Sequence, residues 1–128
     1  MKARPVEGGT VTSPQGFLAG ATYAGLKVKS GLDVGILYSE TPCVAAGLFT
    51  SNRIKAAPVT CSKKHLADGR ARAIVVNSGC ANACTGDQGM RDAEAMAELA
   101  AKKLGITAGE VVVASTGVIG KRLPMERV

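Results

Sequence analysis

The sequence predicts a layered α/β domain. Strand-like and helix-like segments alternate along it, one long amphipathic helix stands between two β-branched runs, and no linker, repeat or low-complexity tract divides the chain. With 46% hydrophobic and 20% charged residues, the 128-residue chain has the balance of a folded protein. Its length suits one domain, residues 1–128, with its own core.

The elements follow in order. Six of the sixteen glycines fall within residues 8–31, interspersed with Thr, Ser and Pro, which predicts turns joining short strands. Pro14-Gln15-Gly16 has the composition of a tight turn. Asp33–Tyr38 and Val44–Thr50 read as two apolar strands separated by Thr41-Pro42, hence as an antiparallel hairpin. Pro58-Val59 opens a short helical segment carrying Val59, Ser62 and Leu66, closed by Asp68-Gly69. Ala73–Asn77 is a β-branched run suited to a buried strand.

The best-defined element is a helix from about Gln88 to Leu104. Met90, Ala93, Ala97, Ala100 and Leu104 share one face at three- and four-residue steps. Thr85 and Gln88 have capping-box spacing, and Asp87 complements the positive end of the dipole. Lys102 and Lys103 complement the other end, and Gly105 suits the left-handed C′ position. Glu110–Ser115 then forms a second buried strand, ending at a turn at Thr116-Gly117.

Composition excludes several function classes. Sixteen Lys and Arg against ten Asp and Glu give a net charge of +6, but the basic residues are scattered, with no run longer than two. Nucleic-acid arms cluster their positive charge, and the 3% aromatic content leaves few platforms for stacking bases. The first nine residues have no apolar stretch after their charges, unlike a secretory signal, and no window approaches the roughly 20 apolar residues of a membrane span. A soluble, cytoplasmic protein contacting neither nucleic acid nor membrane is expected. Its four cysteines, Cys43, Cys61, Cys80 and Cys84, are then free thiols.

Two stretches offer chemistry. Thr116-Gly117 follows a buried strand, where active-site groups gather in α/β folds. Gly117 lets the backbone approach a ligand, and Thr116 adds a hydroxyl; together they suit an oxyanion, although from spacing alone such a pair is more often a plain turn. Asn77–Gly86 is a small polar loop whose amide side chains can satisfy buried backbone or meet a ligand. Cys80 and Cys84 are four apart rather than in C-x-x-C spacing, and His65 is the single histidine, so neither a metal site nor a thiol nucleophile is expected. A Cys80–His65 pair has nothing in the sequence to position it, and core thiols beside a surface histidine are the simpler reading. The residues alone assemble no complete catalytic set.

The motifs add an identification. Val11–Phe17, Ala46–Asn52, Ala56–Val59, Ala73–Gly79, Ala81–Gly86, Val113–Gly120 and Leu123–Met125 occur in order across nearly the whole chain. Together they resemble the glutamate N-acetyltransferase family of arginine biosynthesis, also called ornithine acetyltransferase.

The resemblance implies a precursor that cleaves itself into alpha and beta segments and exposes an N-terminal threonine on beta. That threonine takes the acetyl group from N-acetylornithine and passes it to glutamate, with no cofactor; some members also accept acetyl-CoA. It further implies a sandwich of the N-terminal-nucleophile type, with helices outside two sheets, and an alpha–beta hetero-oligomer. The family's oxyanion hole, a Thr-Gly pair, falls on Thr116 and Gly117. The family usually has Asn at the position of Cys80. The chain stops before the family's Lys-Gly-Ser-Gly and Ala-Thr-Met-Leu cleavage region, so this segment is expected to be inactive without the beta segment. An N-terminal-nucleophile aminopeptidase and a non-catalytic amino-acid-binding domain are the competing readings.

Overall fold

In a computed structural model, which describes residues 3–27 and 31–128, the chain forms one four-stranded mixed sheet with helices against one face. The elements are β1 (Phe17–Thr22), β2 (Val34–Val44), α1 (Ala57–His65), β3 (Arg70–Cys80), α2 (Gly86–Leu104) and β4 (Val111–Val118). The strand order is β1-β2-β3-β4; β1–β2 and β2–β3 are antiparallel and β3–β4 is parallel. A parallel pair needs a crossover, and α2 supplies it.

The Pro14-Gln15-Gly16 turn forms as expected: Phe17 N–H donates to Pro14 O at 3.3 Å, and Gly16 has φ +82°. The hairpin between residues 33–38 and 44–50 does not form. Residues 34–44 are one strand, which pairs with β1 on one side and β3 on the other. Its register shifts between Tyr38 and Cys43, and Arg72 of β3 satisfies the irregular stretch by donating to Ser39 O and Glu40 O at 3.3 and 2.7 Å. Pro42 is tolerated inside this irregularity, where no ladder N–H is demanded. Beyond it, residues 45–50 have no regular structure, and Val44 and Leu48 are fully exposed.

The core lies between the sheet and the two helices. Ala73, Val75, Val111 and Val113 of the strands meet Cys61 of α1 and Ala93, Met96, Ala97, Ala100 and Ala101 of α2. Alanine stripes bring the helix close to the sheet, and Met96 fills the remaining gap; burying such a side chain contributes about 1.5–3 kcal/mol. Helix α2 starts two residues before the expected Gln88, and its C-terminus ends as the sequence predicts. Gly105 is left-handed at φ +67°, and Ile106 N–H closes onto Ala101 O at 3.1 Å. The Thr85/Gln88 capping box is absent, because both side chains have other partners: Thr85 Oγ1 donates to Asn82 Oδ1 (2.7 Å) and Gln88 Nε2 to Asp92 Oδ1 (2.7 Å). A capping box does form elsewhere, between Thr107 and Glu110, where the chain enters β4.

The opposite face of the sheet carries Ile74 and Val76, 41% and 37% exposed, flanked through the register by Val112 and Ala114. The β3 run is therefore buried on one face only. No helix among the described residues is long and apolar enough to cross a membrane.

Candidate functional site

Thr116 and Gly117 do not form a turn after β4; they are part of it. Parallel pairing continues through Ser78↔Thr116, Gly79↔Gly117 and Cys80↔Val118, and the chain turns only at Ile119-Gly120. The pairing persists because two glycines let the backbones close up. Gly117 has φ +133° and Gly79 φ +115°, values that L side chains rarely adopt. A Cβ on Gly117 would fall on the Gly79–Cys80 peptide, 2.7 Å from Gly79 O. Both Thr116 and Gly117 are exposed, so the pair offers a hydroxyl and kinked backbone to solvent at the carboxyl end of a buried strand.

A second layer of backbone lies behind the first. A Cβ on Gly79 would sit 2.7 Å from Leu26 O and 3.1 Å from Lys27 N. The Leu26–Lys27 peptide is held by Asp33, a buried carboxylate just before β2. Asp33 Oδ2 accepts from Leu26 N–H at 2.6 Å and Lys27 N–H at 3.1 Å, and Oδ1 accepts from Ala24 N–H at 2.6 Å. Burial pushes the Asp33 carboxyl up, but the three N–H donors and the Lys27 charge outweigh it and hold it below its ordinary range. The backbone carbonyl of Asp33 also accepts from Ser78 N–H at 2.7 Å. In the sequence Asp33 is only the first residue of an expected strand, and the one local signal for a further role is an acidic residue directly after a glycine-rich stretch.

The Asn77–Gly86 stretch is shorter as a loop than expected, since β3 runs to Cys80. Its amides serve the backbone. Fully buried Asn77 donates from Nδ2 to Cys80 O at 2.9 Å, and fully buried Asn82 from Nδ2 to Gly89 O at 2.8 Å. Asn77 Oδ1 and Ser115 Oγ, on residues facing each other across β3–β4, are buried without a partner. Asn82 and Cys84 are left-handed at φ +47° and +56°, which gives the loop its tight path into α2.

The cysteines are all free. Cys61 and Cys80 are buried, Cys43 is half-buried and Cys84 is exposed, so only two are core thiols. Cys80 and His65 are not partners: the Cys80 thiol donates to Lys121 O at 3.0 Å. His65 closes α1, half-buried rather than on the surface, with Nδ1 2.7 Å from Val111 O and Nε2 3.8 Å from Cys61 Sγ. A carbonyl only accepts, so Nδ1 is the donor to Val111 O, and Nε2 faces the thiol. Burial pushes the Cys61 thiol up, Glu94 adds to the rise, and Lys64 opposes it, which makes Cys61 an inert thiol. Among the described residues no group of three or more His, Cys, Asp or Glu could hold a metal.

A cavity of about 520 Å3 lies away from Thr116 and Gly117. It is an apolar groove between β1–β2 and α2, lined by Ile36, Met96, Leu99 and Val128 among others.

Comparison with known proteins agrees with the motif reading. A family model described as the ArgJ family matches residues 18–128. The arginine biosynthesis bifunctional protein ArgJ of Dehalococcoides mccartyi is 55% identical over 122 residues, covering 94% of this chain and 30% of that protein. Its counterpart from Symbiobacterium thermophilum is 52% identical over the same shares. The chain thus spans about 30% of the length of these curated relatives. Among solved structures, the bifunctional protein ArgJ of Bacillus halodurans superposes with a TM-score of 0.91 at 41% identity, covering 95% of this chain and 64% of that one. Ornithine acetyltransferase of Mycobacterium tuberculosis, in complex with ornithine, gives 0.87 at 46% identity over 91% and 64%. The chain belongs to the ArgJ family of arginine biosynthesis.

Proposed function

We propose that this chain is the N-terminal part of the alpha segment of a self-cleaving acetyltransferase that moves an acetyl group from N-acetylornithine to glutamate, and that Thr116 and Gly117 form its oxyanion hole. The observation that supports this most is the 55% identity across 94% of the chain, combined with an exposed Thr-Gly pair at the carboxyl end of β4. The protein is read as cytoplasmic, without a cofactor.

In this mechanism an N-terminal threonine on the beta segment attacks the acetyl carbonyl of N-acetylornithine. Electrons move onto the carbonyl oxygen, and the Thr116 hydroxyl and the backbone N–H at Gly117 donate to that oxyanion. Collapse expels ornithine, which takes up the proton, and leaves an acetyl ester on the threonine. The amine of glutamate attacks that ester through a second tetrahedral centre served by the same donors, giving N-acetylglutamate and the free threonine. In this reading acetyl-CoA is an alternative donor that would feed the same ester.

The beta segment is the partner in this reading, and it contributes the second sheet of an N-terminal-nucleophile-type sandwich. Exposed Ile74 and Val76 support that arrangement, since an uncovered apolar sheet face requires a second layer. The test is acetyl transfer from N-acetylornithine to glutamate, assayed on the complete alpha–beta protein and on residues 1–128 alone. Transfer by the first and none by the second is expected. Amide hydrolysis without transfer would favour an aminopeptidase, and amino-acid binding without turnover would favour a binding domain.

A further inference from the structure

We propose that Asp33 is a positioning residue for the Thr116–Gly117 pair, acting through two layers of backbone; the inference rests on the oxyanion reading above. One peptide unit carries the connection. Its N–H, on Lys27, is held by Asp33 Oδ2 at 3.1 Å, and its carbonyl, on Leu26, lies where a side chain on Gly79 would stand. Gly79 in turn occupies the space where a side chain on Gly117 would stand. Three backbones are therefore stacked without intervening side chains, and a shift in the first has no soft side chain to absorb it. Asp33 also holds the second layer directly, because its carbonyl accepts from Ser78 N–H at 2.7 Å, one residue before Gly79. Its two carboxylate oxygens take three N–H donors, from Ala24, Leu26 and Lys27. Such charge-assisted bonds are short and directional, which suits a fixed support. Asn77 completes the frame from the β3 side by donating to Cys80 O at 2.9 Å.

An oxyanion hole depends on placement, and an error of about 1 Å in a reacting geometry costs up to about a hundredfold in rate. The neutral isostere in Asp33→Asn keeps the volume but presents one good acceptor and an NH2 group to three N–H donors. The loop carrying Leu26 then moves, and the Gly79–Gly117 crossing moves with it.

The experiment is a double-mutant cycle in the complete, processed enzyme, measuring acetyl transfer from N-acetylornithine to glutamate per folded molecule. Asp33→Asn should lower kcat about tenfold and leave KM for both substrates within about twofold, because the donors act in the transition state. In a Thr116→Ala background the same substitution should cost less than about threefold, since the group it positions is already gone. Asp33→Glu, which keeps the charge and moves it by one methylene, serves the same cycle if Asp33→Asn does not fold, and it should fall between parent and Asn. Equal losses in both backgrounds, a loss confined to KM, or full turnover per folded Asp33→Asn molecule would overturn the inference. If Thr116→Ala itself turns over within a few-fold of the parent, the oxyanion reading fails and this inference fails with it.

Discussion

Gly79 and Gly117 pass each other across the β3–β4 pair so closely that a Cβ on Gly117 would overlap the Gly79–Cys80 peptide. This contact lets parallel pairing continue to Val118 and brings Thr116 to the surface on a fixed backbone. The spacing of one glycine at the end of each strand is thus a geometric requirement, quite apart from any chemistry at the pair.

Gly117→Ala should therefore unpair the end of β4. Positive φ strain of about 1–3 kcal/mol adds to a clash with backbone that cannot yield, so a stability loss of about 3 kcal/mol or more is expected. Urea denaturation at neutral pH measures it. A loss under about 1 kcal/mol would show that the strand end relaxes freely.

Asp33 gives a pH signature. Its folded pKa lies below the ordinary carboxylate value, so the ionised form stabilises the fold. That contribution is complete above the unfolded value of about 4 and is lost as pH falls through the depressed folded value. Glu110, held down by the Thr107 N–H and hydroxyl, acts in the same direction. The stability difference between parent and Asp33→Asn should be constant from pH 7 to about 5 and shrink below about 4. A difference that grows on acidification would contradict the assigned bonds.

How far the sequence could be read follows from how local each signal is. Helix α2 was legible because its alanine stripe, terminal charges and C′ glycine lie within one segment. The strand β2 was not, because what carries it past Pro42 is Arg72, thirty residues away, whose guanidinium also lies 5.2 Å from the Tyr38 ring. The Thr116-Gly117 pair was found by its position after a β-branched run, but its continuation of β4 depends on Gly79 in another strand. Asp33 was missed for the same reason: its three acceptor bonds form only once the glycine-rich stretch has folded back.

Ser62 tests the packing of α1. Its buried hydroxyl donates to Val113 O at 2.7 Å and accepts from Val113 N–H at 2.9 Å, tying the helix to β4. Ser62→Ala leaves a buried N–H and C=O without that partner, at a cost of about 1–3 kcal/mol. Thermal or urea unfolding should show this loss, while turnover per folded molecule is unchanged. An unaffected midpoint would mean that both backbone groups find other partners.

The thiols should separate by accessibility. Cys84 should react with an alkylating reagent in the native protein, Cys43 more slowly, and Cys61 and Cys80 only on unfolding. Cys84→Ser in the complete enzyme should retain full transfer activity. Loss of activity with the fold intact, or stoichiometric zinc by elemental analysis, would give the cysteines a role that their placement does not support.

Thr116→Ala is the most direct test of the site. Oxyanion donors act on charge that exists only in the transition state, so their removal should lower kcat and leave apparent affinity nearly unchanged. A fall of about a hundredfold or more is expected in the complete enzyme, from one donor worth about 3 kcal/mol. Self-cleavage also passes through a tetrahedral centre at a carbonyl, so the substitution should slow processing as well. Expressing the two segments already separated removes that complication. Thr116 is exposed and its hydroxyl makes no hydrogen bond within the described residues, so alanine should cost little stability. That matters for interpretation: a large kinetic defect in a folded variant then reports on chemistry rather than on packing. Steady-state kinetics on the processed variant decides, and turnover within a few-fold of the parent would reduce Thr116 to a residue that shapes the end of β4.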